Sequence, residues 1–294
     1  MAACRLSVII ASYNSRDTIG ACLRSLESQA DPDSFEIIVI DSSNDGTAEF
    51  VEQNFSQAEI YRFAERKFCG DARNIGITKA NGEVVAFIDA DCLAGPSWVE
   101  DILRAHDSSD LAIGGAIANG NPESYVGWAA YFTEFSKWMP GTRPDFISDI
   151  AGANMSYKTE IFERYGRFIE GTYCSDTEFH WRLGQDGLRL RFVPSIVVSH
   201  CNIEHLGKFL KHEIFHGRSF ARVRIRARRF SRRRRFVYAL GIPLVAGKLL
   251  LEIGMANLIN RHYLKYFIRT MPLVSLGVAC WCAGEFIGYL EKEK

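Results

Sequence analysis

Residues 83–91 read EVVAFIDAD, an apolar run over residues 83–88 that ends in two carboxylates one residue apart. Two similar runs precede it, LSVIIA at residues 6–11 and FEIIVI at residues 35–40, and polar side chains follow each of them. Near-continuous runs of β-branched and other apolar residues are typical of strands that are buried on both faces of a sheet. The sequence therefore predicts three strands of such a sheet.

Segments with helical spacing lie around these strands, at residues 18–29, 47–54 and 71–80. The alternation of strands and helices predicts βαβ units around a mostly parallel sheet, which is a Rossmann-like α/β architecture. Ligands bind to such sheets beyond the carboxyl ends of the strands. The polar clusters that follow the strands are therefore the candidate binding sites.

The chain becomes less regular between the third strand and residue 200. Residues 125–138 form an aromatic helix candidate, and residues 175–185 have the pattern of a further helix. Two short strands are expected after it, at residues 190–192 and 196–200.

Asp89 and Asp91 follow the strand at residues 83–88. Two carboxylates this close together in a dry site cannot both be ionised without a counter-charge. A divalent cation supplies that charge, and oxygen ligands select Mg²⁺ or Mn²⁺. A bound diphosphate would complete the coordination, so that the metal acts as a Lewis acid on a departing nucleotide diphosphate. The competing interpretation, a solvated acidic loop, is disfavoured by the buried strand that precedes the pair.

Asp41 ends the second strand, in the stretch DSSNDGT at residues 41–47. A carboxylate in this place can accept hydrogen bonds from a nucleobase or a ribose, while the following residues form a tight turn. In the alternative interpretation, Asp41 and Asp45 only form the turn and cap the next helix. The sequence leaves both interpretations open.

Asp176 and Glu178 begin the helix expected at residues 175–185. The helix dipole alone favours acidic residues in a first turn. In the functional interpretation, Asp176 is a general base that deprotonates an acceptor hydroxyl, which leads to direct displacement at the sugar carbon with inversion. Glu178 lies two residues further on and points elsewhere, which makes it a helper at most.

Five ordered blocks of sequence lie between residues 5 and 200. They are SVIIASYN (7–14), EIIVIDSSNDGT (36–47), ARNIGITKANGEVVAFIDAD (72–91), GANMSYKTEIFERYG (152–166) and SDTEFHWRLGQDGLRLRFVP (175–194). Through these blocks the sequence resembles family 2 glycosyltransferases, whose catalytic domain has the GT-A fold. The resemblance implies an inverting transfer of sugar from a nucleotide diphosphate-sugar, with a nucleotide diphosphate as the second product.

The resemblance also assigns the nucleotide-sugar site. Tyr13 and Asp41 match residues that contact the nucleotide base, and so does Arg73. Asp89 matches a residue that contacts the ribose, and Ala11 belongs to the same nucleotide-sugar-binding group.

The remaining roles concern the metal and the acceptor. Asp91 matches the metal ligand, and Asp176 matches the usual catalytic base. His200 is a candidate for contact with the metal or the diphosphate, with a purely structural histidine as the alternative. Asn154 and Glu178 are candidates for an acceptor-binding or helper role, and acceptor recognition is expected within residues 114–154.

Two departures from the family pattern matter. The family commonly has Glu-Asp where this chain has Ser175-Asp176, so the base is retained while the acceptor side is less well defined. The QxxRW motif of processive polysaccharide synthases is absent from the sequence. The chain is therefore expected to add one sugar per event, to a hydroxyl or phosphate acceptor in lipid-linked glycan or surface polysaccharide synthesis.

Two other functions compete with this one. The first is a catalytically silent nucleotide-sugar-binding subunit that scaffolds a membrane assembly, which the intact Asp89, Asp91 and Asp176 disfavour. The second is a nucleotidyltransferase. That class normally has a Gly-rich phosphate loop after the first strand, whereas this chain has SYNSR at residues 12–16.

A run of nine arginines at residues 222–235 contains no acidic residue, although the whole chain has a formal net charge of +0. Clustered arginine can bind the phosphates of nucleic acid or of anionic lipid. The run adjoins an apolar segment and lacks a recognisable nucleic-acid module. It therefore predicts binding to anionic membrane lipid and no nucleic-acid partner.

Two apolar segments follow, at residues 236–251 and 271–290, and the second is long enough to span a bilayer. A buried helical pair in a soluble domain is the alternative to membrane helices. Glu285 lies inside the second segment, which invites a partner on another helix or subunit. A homo-oligomer is compatible with this pattern, and the topology stays open.

The predicted organisation has three parts: a GT-A domain at residues 1–201, amphipathic and arginine-rich interfacial helices at 202–235, and apolar membrane-region helices at 236–294. No apolar leader precedes the first strand, and the eight cysteines show no metal-binding spacing. Free thiols in a reducing cytoplasm are expected. The protein is accordingly expected to be membrane-associated, with its catalytic domain on the cytoplasmic side.

Overall fold

The structure is a computed structural model in which residues 4–291 are described. Its contacts divide the chain into two compact units. Among the described residues, the first unit comprises residues 4–120, 142–171 and 175–201, and the second comprises residues 121–141, 172–174 and 202–291.

The first unit is built on a nine-stranded sheet. The strands are β1 Leu6–Ser12, β2 Phe35–Asp41, β3 Ala58–Arg62, β4 Val84–Ile88, β5 Cys92–Ala94, β6 Ala112–Asn119, β7 Asp145–Ile147, β8 Asn154–Lys158 and β9 Leu190–His200. Four of them, in the order β3-β2-β1-β4, pair in parallel, and the sheet continues through β8, β6, β9 and β5, with β7 on β9. This arrangement confirms the predicted α/β fold with parallel strands at its centre.

Eleven α-helices lie within residues 4–291, and the predicted helices are among them. The helix expected at residues 175–185 has those bounds, because its first-turn acids and its apolar spacing are both local signals. The helices are α1 Ile19–Glu27, α2 Thr47–Asn54, α3 Cys69–Lys79, α4 Trp98–His106, α5 Tyr125–Phe135, α6 Glu160–Tyr165, α7 Ser175–Gln185, α8 Leu206–Ala227, α9 Arg232–Leu240, α10 Ile242–Asn260 and α11 Leu264–Leu290.

The two short strands expected at residues 190–192 and 196–200 are a single strand, β9, which corrects that prediction. Its pairing with β6 shifts register: Gly115 lies opposite Val193, whereas the next residue lies opposite Val197. The residues between these positions include Pro194, which has no N–H to donate to a ladder. The sequence pattern therefore located a bulge inside one strand and not a boundary between two.

An aromatic cluster fixes α7 on the sheet. Phe179 of α7 is fully buried, stacks on Phe162 with ring centroids 5.6 Å apart, and contacts Phe168 at 5.0 Å. Phe87 of β4 and Tyr157 of β8 complete the cluster. Large buried rings stabilise a helix position through area and ring geometry together. The first turn of α7 is thereby held in a defined place above the sheet.

The second unit is helical, and its α8 and α11 pack closely through small residues. A Cβ atom at Gly217 of α8 would lie 1.9 Å from the carbonyl oxygen of Trp281. A Cβ at Gly284 of α11 would lie 2.0 Å from the carbonyl oxygen of Ile214. Glycine at these two positions therefore allows the helix backbones to touch.

Glu285 of α11 is fully buried within the second unit, and it pairs with a group on another helix, as the sequence analysis predicted. Arg224 of α8 lies 3.1 Å from its carboxylate, and the Tyr289 hydroxyl donates a hydrogen bond to it at 2.8 Å. One arginine of the basic run is therefore used to pair two helices. A second, Arg222, binds Glu291 at 2.6 Å.

Two helices, α10 and α11, are long and apolar enough to cross a membrane. Pro243 lies in the first turn of α10, where a missing N–H costs no helical hydrogen bond. The side chains of α10 are largely exposed, with Leu244 at 80% and Ile259 at 76%. Exposed apolar surface on this scale is typical of a face that contacts lipid or protein.

The buried His106 makes the stability of the first unit depend on pH. Its Nε2 lies 2.9 Å from the Ser156 hydroxyl, and burial, aided by Lys158, lowers its pKa from 6.5 to about 4. Below pH 6.5 the unfolded chain takes up a proton that the folded chain does not, so stability is lost as pH falls from 6.5 towards 4. Between pH 7 and pH 5, the wild type should lose about 2 kcal/mol of its free energy of unfolding through His106, and we expect His106→Gln to abolish this loss.

The measurement is the thermal midpoint of the wild type and the variant at both pH values. His205→Gln is the control, because its imidazole is exposed. If the thermal midpoint of His106→Gln falls between pH 7 and pH 5 by as much as that of the wild type, His106 is not the source of the pH dependence.

Candidate active site

The carboxyl ends of three parallel strands bring the predicted polar clusters to one edge of the sheet. Ser12 at the end of β1 lies in register with Asp41 at the end of β2. Asp89 and Asp91 follow β4, which pairs with β1 on its other side. The first strand positions the loop with Tyr13, so the three clusters meet where such sheets bind ligands.

Asp41 is 2% exposed and held in a fixed orientation. It accepts hydrogen bonds from the Ser43 N–H at 3.2 Å and from the Ser43 hydroxyl at 2.6 Å. Tyr13 is 40% exposed, and the Arg66 guanidinium lies 4.2 Å from the centre of its ring. A fixed carboxylate beside an exposed aromatic face can accept hydrogen bonds from a planar base and stack against it. Ala11 is half-buried, two residues before Tyr13 on β1.

Asp45 has the turn-forming role that the alternative interpretation gave it. Its carboxylate accepts the N–H groups of Thr47 at 3.1 Å and of Arg16 at 3.2 Å. Partial burial raises the pKa of Asp45, but these hydrogen bonds and that of the Thr47 hydroxyl outweigh it and lower the pKa below its ordinary value. Asp45 therefore joins the loops that follow β1 and β2.

Arg73 is a buried charge at the centre of the site, 4% exposed on α3. Its guanidinium donates to Asp89 Oδ1 at 3.2 Å and to the carbonyl oxygen of Gly152 at 3.0 Å. Burial acts to lower the pKa of Arg73, but neighbouring acidic groups, Asp89 above all and also Asp176, raise it above its ordinary value. Arg73 therefore carries the counter-charge for the acidic groups around it.

Asp176 joins this group from the first turn of α7. A Cβ atom at Gly152 would lie 2.7 Å from Asp176 Oδ2 and 2.9 Å from a terminal nitrogen of Arg73. The Thr177 N–H donates to the other carboxylate oxygen of Asp176 at 2.9 Å. Glycine at position 152 thus leaves the space in which a carboxylate and a guanidinium approach the same backbone.

Asp91 and His200 meet through strand pairing. Cys92 of β5 lies opposite His200 of β9, and the Cys201 N–H donates to the Asp91 carbonyl at 2.9 Å. His200 Nε2 lies 3.5 Å from Asp91 Oδ1. Ligands about 2.0–2.2 Å from a metal ion lie about 3–4 Å apart, so a carboxylate and an imidazole at this distance fit one divalent cation.

Cys92 also places a ligand atom within 4.8 Å of Asp91 and His200. Its side chain is fully buried, and burial, followed by Asp91 and Asp89, raises the pKa of its thiol well above the ordinary value. A protonated thiol is a poor ligand. The Asp91 side chain is 40% exposed and leaves an open side for further oxygen ligands.

Asn154 and Glu178 do not join these groups. Asn154 is 1% exposed, and its side-chain amide is fully used by hydrogen bonds within the protein. It donates to the carbonyls of Ala116 and Ile196 at 2.9 Å each and accepts from the Trp98 indole at 2.9 Å. Glu178 binds Arg182 at 2.9 Å on the same helix. Both side chains hold elements in place.

A buried pair behind Asp176 escaped the sequence analysis. The Tyr157 hydroxyl lies 2.6 Å from His180 Nε2. Burial lowers the pKa of His180 to about 4, with a smaller opposing effect from Asp176, so the ring is neutral at physiological pH. The available signal was a histidine at residue 180 of a predicted helix, and its partner is 23 residues away in sequence.

The family model described as Glycosyl transferase family 2 matches residues 7–166, which is more than half of the chain. The chain belongs to glycosyl transferase family 2. The match includes every residue discussed above from Tyr13 to Asn154, and it ends before Asp176 and His200.

Two curated relatives illustrate the likeness. The glycosyltransferase AglE of Haloferax volcanii is 29% identical over 248 residues, which cover 81% of this chain and 79% of the relative. The glucosyl-dolichyl phosphate glucuronosyltransferase of the same organism is 21% identical over 182 residues, which cover 57% of each chain. The second relative is thus matched over little more than half its length.

A solved structure extends the likeness beyond the family match. The mannosyltransferase PcManGT of Pyrobaculum calidifontis, solved in complex with GDP-Man and Mn²⁺, superposes with a TM-score of 0.67 at 18% identity. The superposition covers 98% of this chain and 88% of the mannosyltransferase. This likeness is one of fold, and it supports the GT-A architecture of this family 2 chain.

Gly152→Ala tests the approach of Asp176 to Arg73. The added methyl group would displace the ends of two flexible side chains, so we expect the protein to fold while the carboxylate moves. In the role that the sequence predicts for Asp176, that of the base, a displacement of about 1 Å costs about 100-fold in turnover. The measurements are a thermal melt and sugar transfer or donor hydrolysis.

Gly184→Ala on α7 is the matched control, because a Cβ there meets no atom within 4 Å. Full turnover in Gly152→Ala would contradict the proposed geometry.

Proposed function

We propose that this protein is an inverting glycosyltransferase that moves a single sugar from a nucleotide diphosphate-sugar to an acceptor hydroxyl or phosphate. The observation that carries the proposal is the meeting of Asp176 with the Arg73–Asp89 pair at the carboxyl edge of the sheet. A base at this place faces the region where the loops after β1, β2 and β4 would hold a donor.

The donor would lie between Tyr13, Asp41 and Asp89, with Ala11 beside them. Asp41 has fixed carboxylate oxygens for the base, and Tyr13 has an exposed ring to stack on it. Asp89, held by Arg73, would accept hydrogen bonds from the ribose hydroxyls. The mannosyltransferase of similar fold was solved with GDP-Man, which supports a nucleotide-sugar donor here.

Asp91 and His200 would hold a divalent cation, Mn²⁺ or Mg²⁺. The similar mannosyltransferase was solved with Mn²⁺, and the two side chains here fit such an ion. When bound, the cation would neutralise the diphosphate and make it a better leaving group. The open side of Asp91 leaves room for the phosphate oxygens.

Asp176 would act as the general base. Its carboxylate takes the proton of the acceptor hydroxyl as that oxygen forms a bond to the anomeric carbon. The bond from this carbon to the diphosphate breaks on the opposite face, so the configuration inverts. Arg73 stands beside Asp176 and keeps the carboxylate directed into the site, while Asn154 and Glu178 position the elements around it.

The acceptor would be a lipid-linked glycan or a surface polysaccharide at a membrane. One curated relative is named for a dolichyl phosphate substrate, and the chain has two helices suited to a bilayer. The arginines at residues 222–235 would bind anionic lipid and place the catalytic domain on the cytoplasmic side. In this proposal, residues 1–201 carry out catalysis, residues 202–235 contact the membrane surface and residues 236–294 enter the membrane.

The binding experiment is a calorimetric titration of detergent-purified protein with UDP, GDP and dTDP, each with and without Mn²⁺. We expect one nucleotide to bind tightly only with metal, and Asp91→Ala to lose this dependence. We expect Asp176→Asn to bind the nucleotide normally and to transfer sugar about 10²–10⁴-fold more slowly, because it lacks only the base.

The catalytically silent scaffold makes a different prediction. It would bind a nucleotide-sugar, and Asp176→Asn would change nothing that can be measured. Near-full turnover in Asp176→Asn would show that another group is the base. Folded protein that binds none of the three nucleotides would contradict the donor site itself.

Lipid binding is tested with Arg232 and Arg233, which are exposed in the first turn of α9. Each arginine near an anionic surface contributes about 1 kcal/mol, so the double change to Gln should weaken binding of phosphatidylglycerol about 30-fold. Binding of phosphatidylcholine should not change. Native mass spectrometry of the detergent-solubilised protein measures both.

The control is a double change to Gln at Arg143 and Arg164, two exposed arginines of the first unit. Equal losses of phosphatidylglycerol binding in both double variants would contradict a specific role for the basic run.

A further inference from the structure

The second unit contains a buried carboxylate whose charge is not accounted for. Glu213 of α8 is fully buried, and within residues 4–291 no N–H or neutral hydroxyl group donates a hydrogen bond to its carboxylate, whose polar neighbour is a second carboxylate, Glu134. An ionised carboxylate in such a place is costly unless a cation faces it. The position therefore calls for either a proton or a positive ion.

Two further ligand groups face Glu213. Glu134 of α5 and His212 of α8 each place a ligand atom so that all three atoms lie within 4.8 Å of one another. His212 Nε2 lies 3.4 Å from Glu134 Oε1. This distance is long for a hydrogen bond. It is close to the separation of about 3.3 Å between two ligands that bind a tetrahedral Zn²⁺ at about 2.0–2.1 Å.

We propose that Glu134, His212 and Glu213 form a second metal site, which binds a divalent transition metal such as Zn²⁺. One imidazole and two carboxylates form a donor set that suits Zn²⁺ better than Mg²⁺, which keeps to oxygen. The side chains of Glu134 and His212 are 19% and 34% exposed, so an ion can reach the site from solvent. The metal would join α5 to α8 inside the second unit.

A fourth ligand would be His216 or a water molecule. His216 lies one turn beyond His212 on α8, and their ring centroids are 5.6 Å apart. The stretch HEIFH at residues 212–216 has the His-Glu-x-x-His spacing with which helices bind zinc. In that motif the glutamate is a general base and not a ligand. Here Glu213 would contribute a ligand atom, and Glu134 of α5 would supply the other carboxylate.

A shared proton is the competing occupant. Burial, followed by the neighbouring Glu134, raises the pKa of Glu213 well above its ordinary value, which favours the protonated side chain where no metal is bound. Metal ligands bind in their deprotonated form, so zinc should compete with protons for these groups and bind more weakly as pH falls.

The test uses the full chain, purified in detergent and stripped of metal with a chelator. The Asp91→Ala background removes a ligand of the catalytic metal site, so that failure of the catalytic proposal does not affect the result. Zn²⁺ is titrated calorimetrically in two buffers of different ionisation enthalpy, and bound zinc is counted by elemental analysis after dialysis. We expect one Zn²⁺ per chain, bound with release of a proton.

Glu213→Gln in the same background should weaken zinc binding by more than about tenfold, which is the least that loss of a supporting group costs at metal sites. Gln has the shape of Glu and no charge, so the thermal midpoint of the metal-free variant should be unchanged or raised. His205→Gln, an exposed histidine next to α8, is the control and should bind zinc like its parent.

Three outcomes overturn the proposal. Folded Asp91→Ala protein that binds no zinc contradicts the site, and so does equal zinc affinity with and without Glu213→Gln. Loss of zinc in the His205→Gln control would show that the histidines bind it nonspecifically. Loss of zinc in Glu213→Gln, with its own folded midpoint retained, supports the site.

Discussion

The ion pair between the buried Arg73 and the partly exposed Asp89 is the interaction on which the candidate site depends. The pair joins α3 to the end of β4, and the same guanidinium binds the Gly152 carbonyl on the chain that leads into β8. A buried charge without its partner is strongly destabilising, so these three segments must keep their positions together. Asp176 approaches the same guanidinium from α7, and the site is thereby built around one fixed positive charge.

The sequence predicted the parts of this arrangement that are encoded locally. The strands at residues 6–11, 35–40 and 83–88 were identified because each is a continuous apolar run, and α7 was identified because its acids and apolar residues both follow helical rules. The polar residues at the strand ends were identified as a site because parallel strands carry their carboxyl ends to one edge.

Contacts between distant residues were beyond such reasoning. The hydrogen bond between Tyr157 and His180, and the use of the Asn154 amide by β6 and β9, depend on how layers pack and not on any local pattern. The bulge in β9 was misread as a gap between two strands, because Pro194 interrupts the pattern in the same way in either case. The cluster around Glu213 brings together residues 134 and 213, whose proximity no spacing in the sequence reveals.

The pairing of β5 with β9 has a consequence for the order in which the site is completed during synthesis. The residues of the predicted nucleotide site, from Tyr13 to Asp89, all belong to β1, β2, β4 and the segments between and after them, and these strands pair with one another. Asp91, by contrast, waits for His200, which the ribosome adds more than a hundred residues later. Pairing this distant in sequence is slow to form, because closing a long loop costs entropy. A nascent chain can therefore form the loops after β1, β2 and β4 before Asp91 and His200 can meet, so that a cation held by both side chains would stabilise only the nearly finished domain.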